Sequence, residues 1–367
     1  MPALSFLPAI SLLTLASNLP AALPLRTLFR TAEYKLRPPR PLRFQPQVSA
    51  AQDRVLGQGI AGPHQRADIA WEERKGSVPT IVVGGFVPDA TEAVYLMRGY
   101  LLRQGSLFYF NYPRHGFSAE LIFAQLDDLV EELTGTYGQP PVILSVSFGS
   151  GVVLEWLKRR SHKGRSPELA GLMMVSPVLC VEDLLTPGEP KPTTLLGRAV
   201  KPYLDAKGAV SSAIVEKSRT IFAKMFEAGA QNKDALRLIM TRGELSRLKD
   251  AVISTINGID ATGATERVQA LSDFSPLSSE HGVLCDAPTL IMFAEKEGAV
   301  ITEGSPSMAT LQSSPRTYFP QAHCKVVSNS QGSPVQHASL IFHCFNFLIP
   351  IAGFYRNVKI QRARRAA

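Results

Sequence analysis

The chain has 367 residues, 45% of them hydrophobic, with 27 glycines, 27 prolines and four cysteines. That is enough for a large buried core, in one large domain with an insertion or in two domains, and it excludes a chain disordered throughout. The net charge of +8 belongs to the two ends: residues 1–50 hold six basic residues against Glu33, and seven basic residues but no Asp or Glu follow Glu303, so the stretch between is net negative.

Basic ends favour anionic surfaces such as phospholipid headgroups, or stand as solvated tails. Nucleic acid is the weaker of these anionic partners, because no basic stripe interleaves with aromatics. Cys180, Cys285, Cys324 and Cys344 form no C-x-x-C pair and stand among apolar neighbours. They read as buried free thiols; no disulfide framework, metal site or organic cofactor is expected.

Residues 1–25 contain no charged side chain, and residues 5–25 are rich in Leu and Ala, interrupted by Pro8, Pro20 and Pro24. The positive leader of a secretory signal is missing, and basic residues follow the apolar run instead. Three readings stay open: a membrane-associating segment, an atypical signal peptide, or a hydrophobic arm packed on the protein. The expected location is membrane-associated with a cytoplasmic catalytic domain, by the excess of positive charge after the run; the alternative is export. Residues 37–48, with Pro38, Pro39, Pro41 and Pro46, read as an extended linker.

From residue 67 the pattern changes. Residues 67–74 predict an early strand, and the β-branched run at 79–83 a buried one, closed by Gly84-Gly85-Phe86. Residues 90–103 have helical spacing, residues 106–110 predict a strand, and residues 118–137 an amphipathic helix with Leu121, Ile122, Leu126, Leu129, Val130 and Leu133 on one face. A strand at 141–146 runs straight into Ser147, and a helix follows at 148–160. Residues 170–175 predict a further strand ending in Ser176-Pro177. This short-period alternation implies a mostly parallel sheet with helices on both faces.

The alternation stops near Val181. Residues 187–273 carry no strand-like run but several helical segments, including 211–228 and 233–256, and read as a helical insertion. Strands resume at 288–294, 316–319 and 324–328, and a last helix is expected from about residue 338 to 351. The expected division is 1–50 as the apolar segment and basic linker, 51–181 as the first part of the α/β core, 182–274 as the insertion, 275–355 as the second part, and 356–367 as a basic tail.

An open α/β sheet binds ligands at the carboxyl ends of its strands. Ser147, Glu297 and His337 stand just past such ends, or in loops beside them, in the chain order nucleophile, acid, base. Serine is a weak nucleophile at its own pKa and needs a base; histidine serves when a third group orients it. Rival residues exist. Ser145 lies inside the strand and Ser150 inside the helix, His323 enters a strand rather than following one, and Glu295 is two residues nearer the strand than Glu297 and could replace it.

With these residues in view, residues 67–354 resemble the α/β-hydrolase family. Its nucleophile elbow, G-x-S-x-G, stands here as Ser145-Val146-Ser147-Phe148-Gly149, with Ser in place of the first Gly. Its oxyanion loop resembles Gly84-Gly85-Phe86, where members usually carry His-Gly. The loop after the fourth strand resembles Asn111-Tyr112-Pro113-Arg114-His115-Gly116-Phe117-Ser118. The acid loop resembles Phe293-Ala294-Glu295-Lys296-Glu297-Gly298-Ala299-Val300, with Glu297 where most members carry Asp. The last element resembles Val335-Gln336-His337-Ala338-Ser339-Leu340-Ile341.

The resemblance implies Ser147 as nucleophile, His337 as base, Glu297 as its orienting acid, and the N–H groups of Phe86 and Phe148 as oxyanion donors. It implies Gly85 and His115 as pocket residues and the helical insertion as a lid. The implied activity is hydrolysis of a carboxylic ester, esterase- or lipase-like, with a small-molecule ester or lipid-like substrate; a membrane surface as partner is expected from the N-terminal segment and basic termini instead. Thioester, amide or carbon–carbon bond hydrolysis by the same residues, and a catalytically silent binding protein on this fold, are the alternatives.

Overall fold

A computed structural model describes residues 41–74, 78–162, 168–206, 209–230, 241–330 and 332–366. The first elements are β1 (Leu42–Arg43), α1 (Ala50–Gly57), β2 (Asp68–Glu72), β3 (Thr80–Val83), α2 (Ala90–Ala93), α3 (Arg98–Leu101) and β4 (Leu107–Asn111). Next come α4 (Ala119–Tyr137), β5 (Val142–Val146), α5 (Phe148–His162) and β6 (Gly171–Val175). Among the described residues four helices then follow without a strand: α6 (Leu195–Asp205), α7 (Ser212–Ala230), α8 (Arg242–Gly258) and α9 (Ala261–Asp273). The chain closes with β7 (Thr289–Ala294), α10 (Pro306–Ser313), β8 (Ala322–Val327) and α11 (Cys344–Ala366).

The eight strands form one sheet in the order β1-β2-β4-β3-β5-β6-β7-β8. β1 and β2 are antiparallel to their neighbours, and the remaining six strands are parallel. Strand period sorts the core into two layers, because successive side chains point to opposite faces. Ile81, Val83, Phe108, Phe110, Ile143, Leu172, Met174, Ile291 and Phe293 pack with α4 and α5 on one face. Val82, Leu107, Tyr109, Leu144, Met173, Val175, Leu290 and Met292 pack with α3 and α11 on the other. Each such apolar side chain contributes roughly 1.5–3 kcal/mol when taken out of water. The chain winds from β3 to β4 in one direction and to β5 in the other. The loops at the carboxyl ends of β3 and β5 therefore part at a topological switch point, where open α/β sheets bind ligands.

Helix α4 starts where Ser118 accepts the Leu121 N–H and stops at Gly138, whose φ of 63° suits a residue without Cβ. Three expectations change. Residues 316–319 form no strand: Pro315 opens a short 3₁₀ turn at Pro315–Thr317, because proline lacks the N–H a ladder needs and presets a helical φ. The region read as one helix at 90–103 is two one-turn helices. The last helix begins at Cys344 rather than 338, since Ala338 adopts a left-handed φ of 49°, and it runs on to Ala366. Residues 1–40, including the apolar segment, lie outside the described residues. Among the described residues no helix is long and apolar enough to cross a membrane.

Candidate active site

Ser147 stands between β5 and α5 with a φ of 51°. A non-glycine residue adopts this region at a cost, and it persists only where neighbours enforce it. Here Ser147 N donates to Val175 O at 2.9 Å, and Ser147 O accepts from Ser150 N and Val178 N at 2.8 and 3.2 Å. The tight turn needs glycine on its helix side: a Cβ on Gly149 would collide with the backbone oxygens of Gly84 and Val83. On its strand side serine is accommodated, because Ser145 Oγ bonds Ser150 Oγ at 3.0 Å and Met173 O at 3.1 Å. Both rival hydroxyls are thereby occupied with each other and fully buried.

His337 Nε2 lies 2.9 Å from Ser147 Oγ, and His337 Nδ1 lies 2.5 Å from Glu297 Oε2. The second oxygen of Glu297 accepts the Ala294 N–H at 2.6 Å, so the carboxylate is held at the end of β7. The acid and histidine loops are stitched together by Lys296 N donating to Val335 O at 2.9 Å. Glu297 and His337 are almost fully buried, at 7% and 9% side-chain exposure, which strengthens charged hydrogen bonds by excluding water. Glu295 takes another path, accepting the Asn329 N–H at 3.3 Å on the exposed side. His323 is exposed on β8.

Phe86 and Phe148 approach each other from β3 and α5 with rings stacked at 4.2 Å and 17°. Among the described residues their backbone N–H groups have no backbone acceptor, and Phe148 opens α5, where helix N–H groups and dipole favour an anion. Gly85 lies against the same serine, its position for a Cβ being 3.4 Å from Ser147 Cβ. His115 differs from expectation. Its side chain is 74% exposed and pairs with Asp260 at 3.2 Å, because α9 docks on the loop after β4 and leaves the ring outside.

Helices α6–α9 cover Phe86 and line a half-open apolar cavity of about 40 Å³, with Phe86, Val200, Tyr203, Phe222, Ile256 and Val268 among its walls. Neither this cavity nor a larger cleft of about 460 Å³, with Asp127, Glu131, Trp156 and Arg160 on its walls, is lined by Ser147, Glu297 or His337. Among the described residues no group of three His, Cys, Asp or Glu could hold a metal ion.

Two contributors escape a reading of the sequence. Ser176, at the end of β6 with φ 46°, accepts the Ala338 N–H at 2.9 Å and so fixes the residue after His337. Arg267, on α9 and 2% exposed, reaches the Phe86 carbonyl. Ser176-Pro177 at a strand end was a signal for the first; nothing in the sequence marks the second.

No protein-family model matches the sequence, and no curated protein does. Solved structures do. An esterase from Thermogutta terrifontis superposes at TM-score 0.55 and 16% identity, over 86% of this chain and 98% of that one. An esterase from Rhodococcus sp. superposes at 0.52 and 12%, over 80% and 96%. An epoxide hydrolase from Bacillus megaterium superposes at 0.53 and 9%, over 79% and 97%. At these identities the likeness is one of architecture, and it agrees with the eight-stranded, mostly parallel sheet: the chain has the α/β-hydrolase fold.

Proposed function

We propose that the protein is a serine hydrolase that cleaves a carboxylic ester, acyl or lipid-like, through an acyl-enzyme. The observation that carries this reading is the unbroken relay from Ser147 Oγ through both nitrogens of His337 to Glu297. As Oγ attacks the ester carbonyl carbon, His337 Nε2 takes the hydroxyl proton. Glu297 keeps the Nδ1–H tautomer in place and stabilises the imidazolium. The carbonyl oxygen becomes an oxyanion between the N–H groups of Phe86 and Phe148, each such donor being worth roughly 3 kcal/mol in comparable sites. Collapse of the tetrahedral adduct expels the alcohol, which receives the proton from His337. Water then enters by the same route, releasing the acid and restoring Ser147.

Helices α6–α9 act as the lid in this reading, excluding water as substrate binds. Two of the similar structures carry the name esterase, which supports the ester, and the third shares the fold with another chemistry, so the fold by itself does not choose the bond. The test is twofold. A fluorophosphonate probe should label Ser147 in the folded protein, and Ser147→Ala should abolish both labelling and p-nitrophenyl ester turnover. Absence of an adduct on the native protein would overturn the reading in favour of a silent binding protein.

A further inference from the structure

Arg267 carries a buried charge that pairs directly with no carboxylate among the described residues, although Asp89 and Asp260 attract it. Its Nη1 donates to Phe86 O at 3.0 Å and its Nη2 to Pro113 O at 2.7 Å, while Nε is buried without a partner. The Tyr112 ring lies 5.5 Å from its Cζ. Among the described residues the guanidinium forms no ion pair; Asp89, which attracts it, is itself bonded to Arg114 at 2.9 Å. Burial lowers its pKa to about 10, so it remains charged at neutral pH. Taking an ion out of water costs several kcal/mol, and an apolar side chain of similar volume often serves stability as well or better. The guanidinium does one thing methionine or leucine cannot. Its planar fork spans two carbonyls from two separate loops at once.

We infer that Arg267 is a positioning residue for the proposed hydrolysis, clamping the Phe86 and Pro113 carbonyls so that α9 sets the direction of the Phe86 N–H. The inference rests on the Ser147 reading above. Phe86 is held at two points, its carbonyl by Arg267 and its ring by Phe148 at 4.2 Å. With both fixed, its amide has little freedom to leave the oxyanion. The clamp also ties the insertion to the site, since a shift of α9 moves Phe86 with it. The neighbouring residue gives a control. Glu266 docks the same helix through the Phe117 N–H at 2.5 Å and touches nothing at Phe86.

The experiment compares Arg267→Met, Arg267→Lys and Glu266→Gln with wild type in two assays: p-nitrophenyl acetate kinetics, and hydrogen exchange of the 84–89 loop. Arg267→Met should lower kcat 10- to 100-fold with KM within threefold, and speed exchange of that loop. Arg267→Lys, which keeps the charge but loses the fork, should lose at least fivefold in kcat. Glu266→Gln should stay within threefold and leave the loop protected. Wild-type kcat in Arg267→Met, full activity in Arg267→Lys, or an equal loss in Glu266→Gln overturns the clamp. A wild-type protein that neither turns over ester nor labels at Ser147, yet whose loop loosens in Arg267→Met, sinks the hydrolase reading and leaves the clamp standing.

Discussion

Glu297 and His337 meet at 2.5 Å, Oε2 against Nδ1, while the other Glu297 oxygen is fixed by the Ala294 N–H. The carboxylate is thus anchored by the strand end and aimed by the loop. The longer glutamate side chain, two residues further from the strand than Glu295, spans the distance. Glu297→Gln keeps the shape but offers Nδ1 a mixed donor and acceptor, so the tautomer that Ser147 needs is no longer enforced. The expected loss in kcat is at least 100-fold for Glu297→Gln, against less than threefold for Glu295→Gln. Equal losses would remove Glu297 from the relay.

The strand ends at 146 and 294 are legible because each apolar run is short and followed by a polar residue, whereas the last strand, expected at 324–328, is the half-polar Ala322–Val327. Three chemically able residues in a fixed order past such ends narrow the site to very few choices. Glu295 stayed a rival because its spacing differs from that of Glu297 by only two residues; separating them takes the bend that turns residues 295–297 toward residue 336. The strand misread at 316–319 shows the weakness of local pattern beside proline. The clamp of Arg267 was unreadable for another reason. Its partners are backbone carbonyls at Phe86 and Pro113, 181 and 154 residues away, and any residue type supplies a carbonyl.

Ser176 offers a test of how firmly His337 must be held. Its Oγ accepts the Ala338 N–H at 2.9 Å, where Ala338 sits at φ 49°. Ser176→Ala leaves that N–H without its partner, at a cost of about 1–3 kcal/mol in stability, and frees the peptide that orients the imidazole. The expected outcome is a fall in kcat of about tenfold with KM little changed. If the variant is destabilised but retains wild-type kcat, Ser176 serves only the fold.

Membrane association is a separate proposal. It rests on the uncharged residues 1–25, which lie outside the described residues, and on the basic residues at both ends. Deleting residues 1–36 should move the protein from the membrane fraction to the soluble one while leaving p-nitrophenyl acetate turnover within twofold. Unchanged partitioning refutes it.

Glu92, on α2, makes stability depend on pH in the direction opposite to most carboxylates. Its Oε2 is buried without a partner, and burial first, then the charge of Asp89, push its carboxyl up to about 7 from 4.5. The native state therefore holds the proton more tightly than the unfolded chain does. Below about pH 4.5 both states are protonated and nothing is lost. As pH climbs from there through about 7 the native protein must release a proton it prefers to keep, and stability falls. Above about 7 the full penalty applies, up to about 3 kcal/mol. The same corner bears the insertion, since Arg114 joins Asp89 at 2.9 Å to Thr255 of α8 at 3.2 Å. Glu92→Gln keeps the shape and removes the titration. Urea unfolding from pH 5 to pH 8 should show little gain over wild type at the acid end and a gain of a few kcal/mol at the alkaline end. A gain that is constant with pH, or that grows on acidification, would assign the change to packing and remove Glu92 as the titrating group.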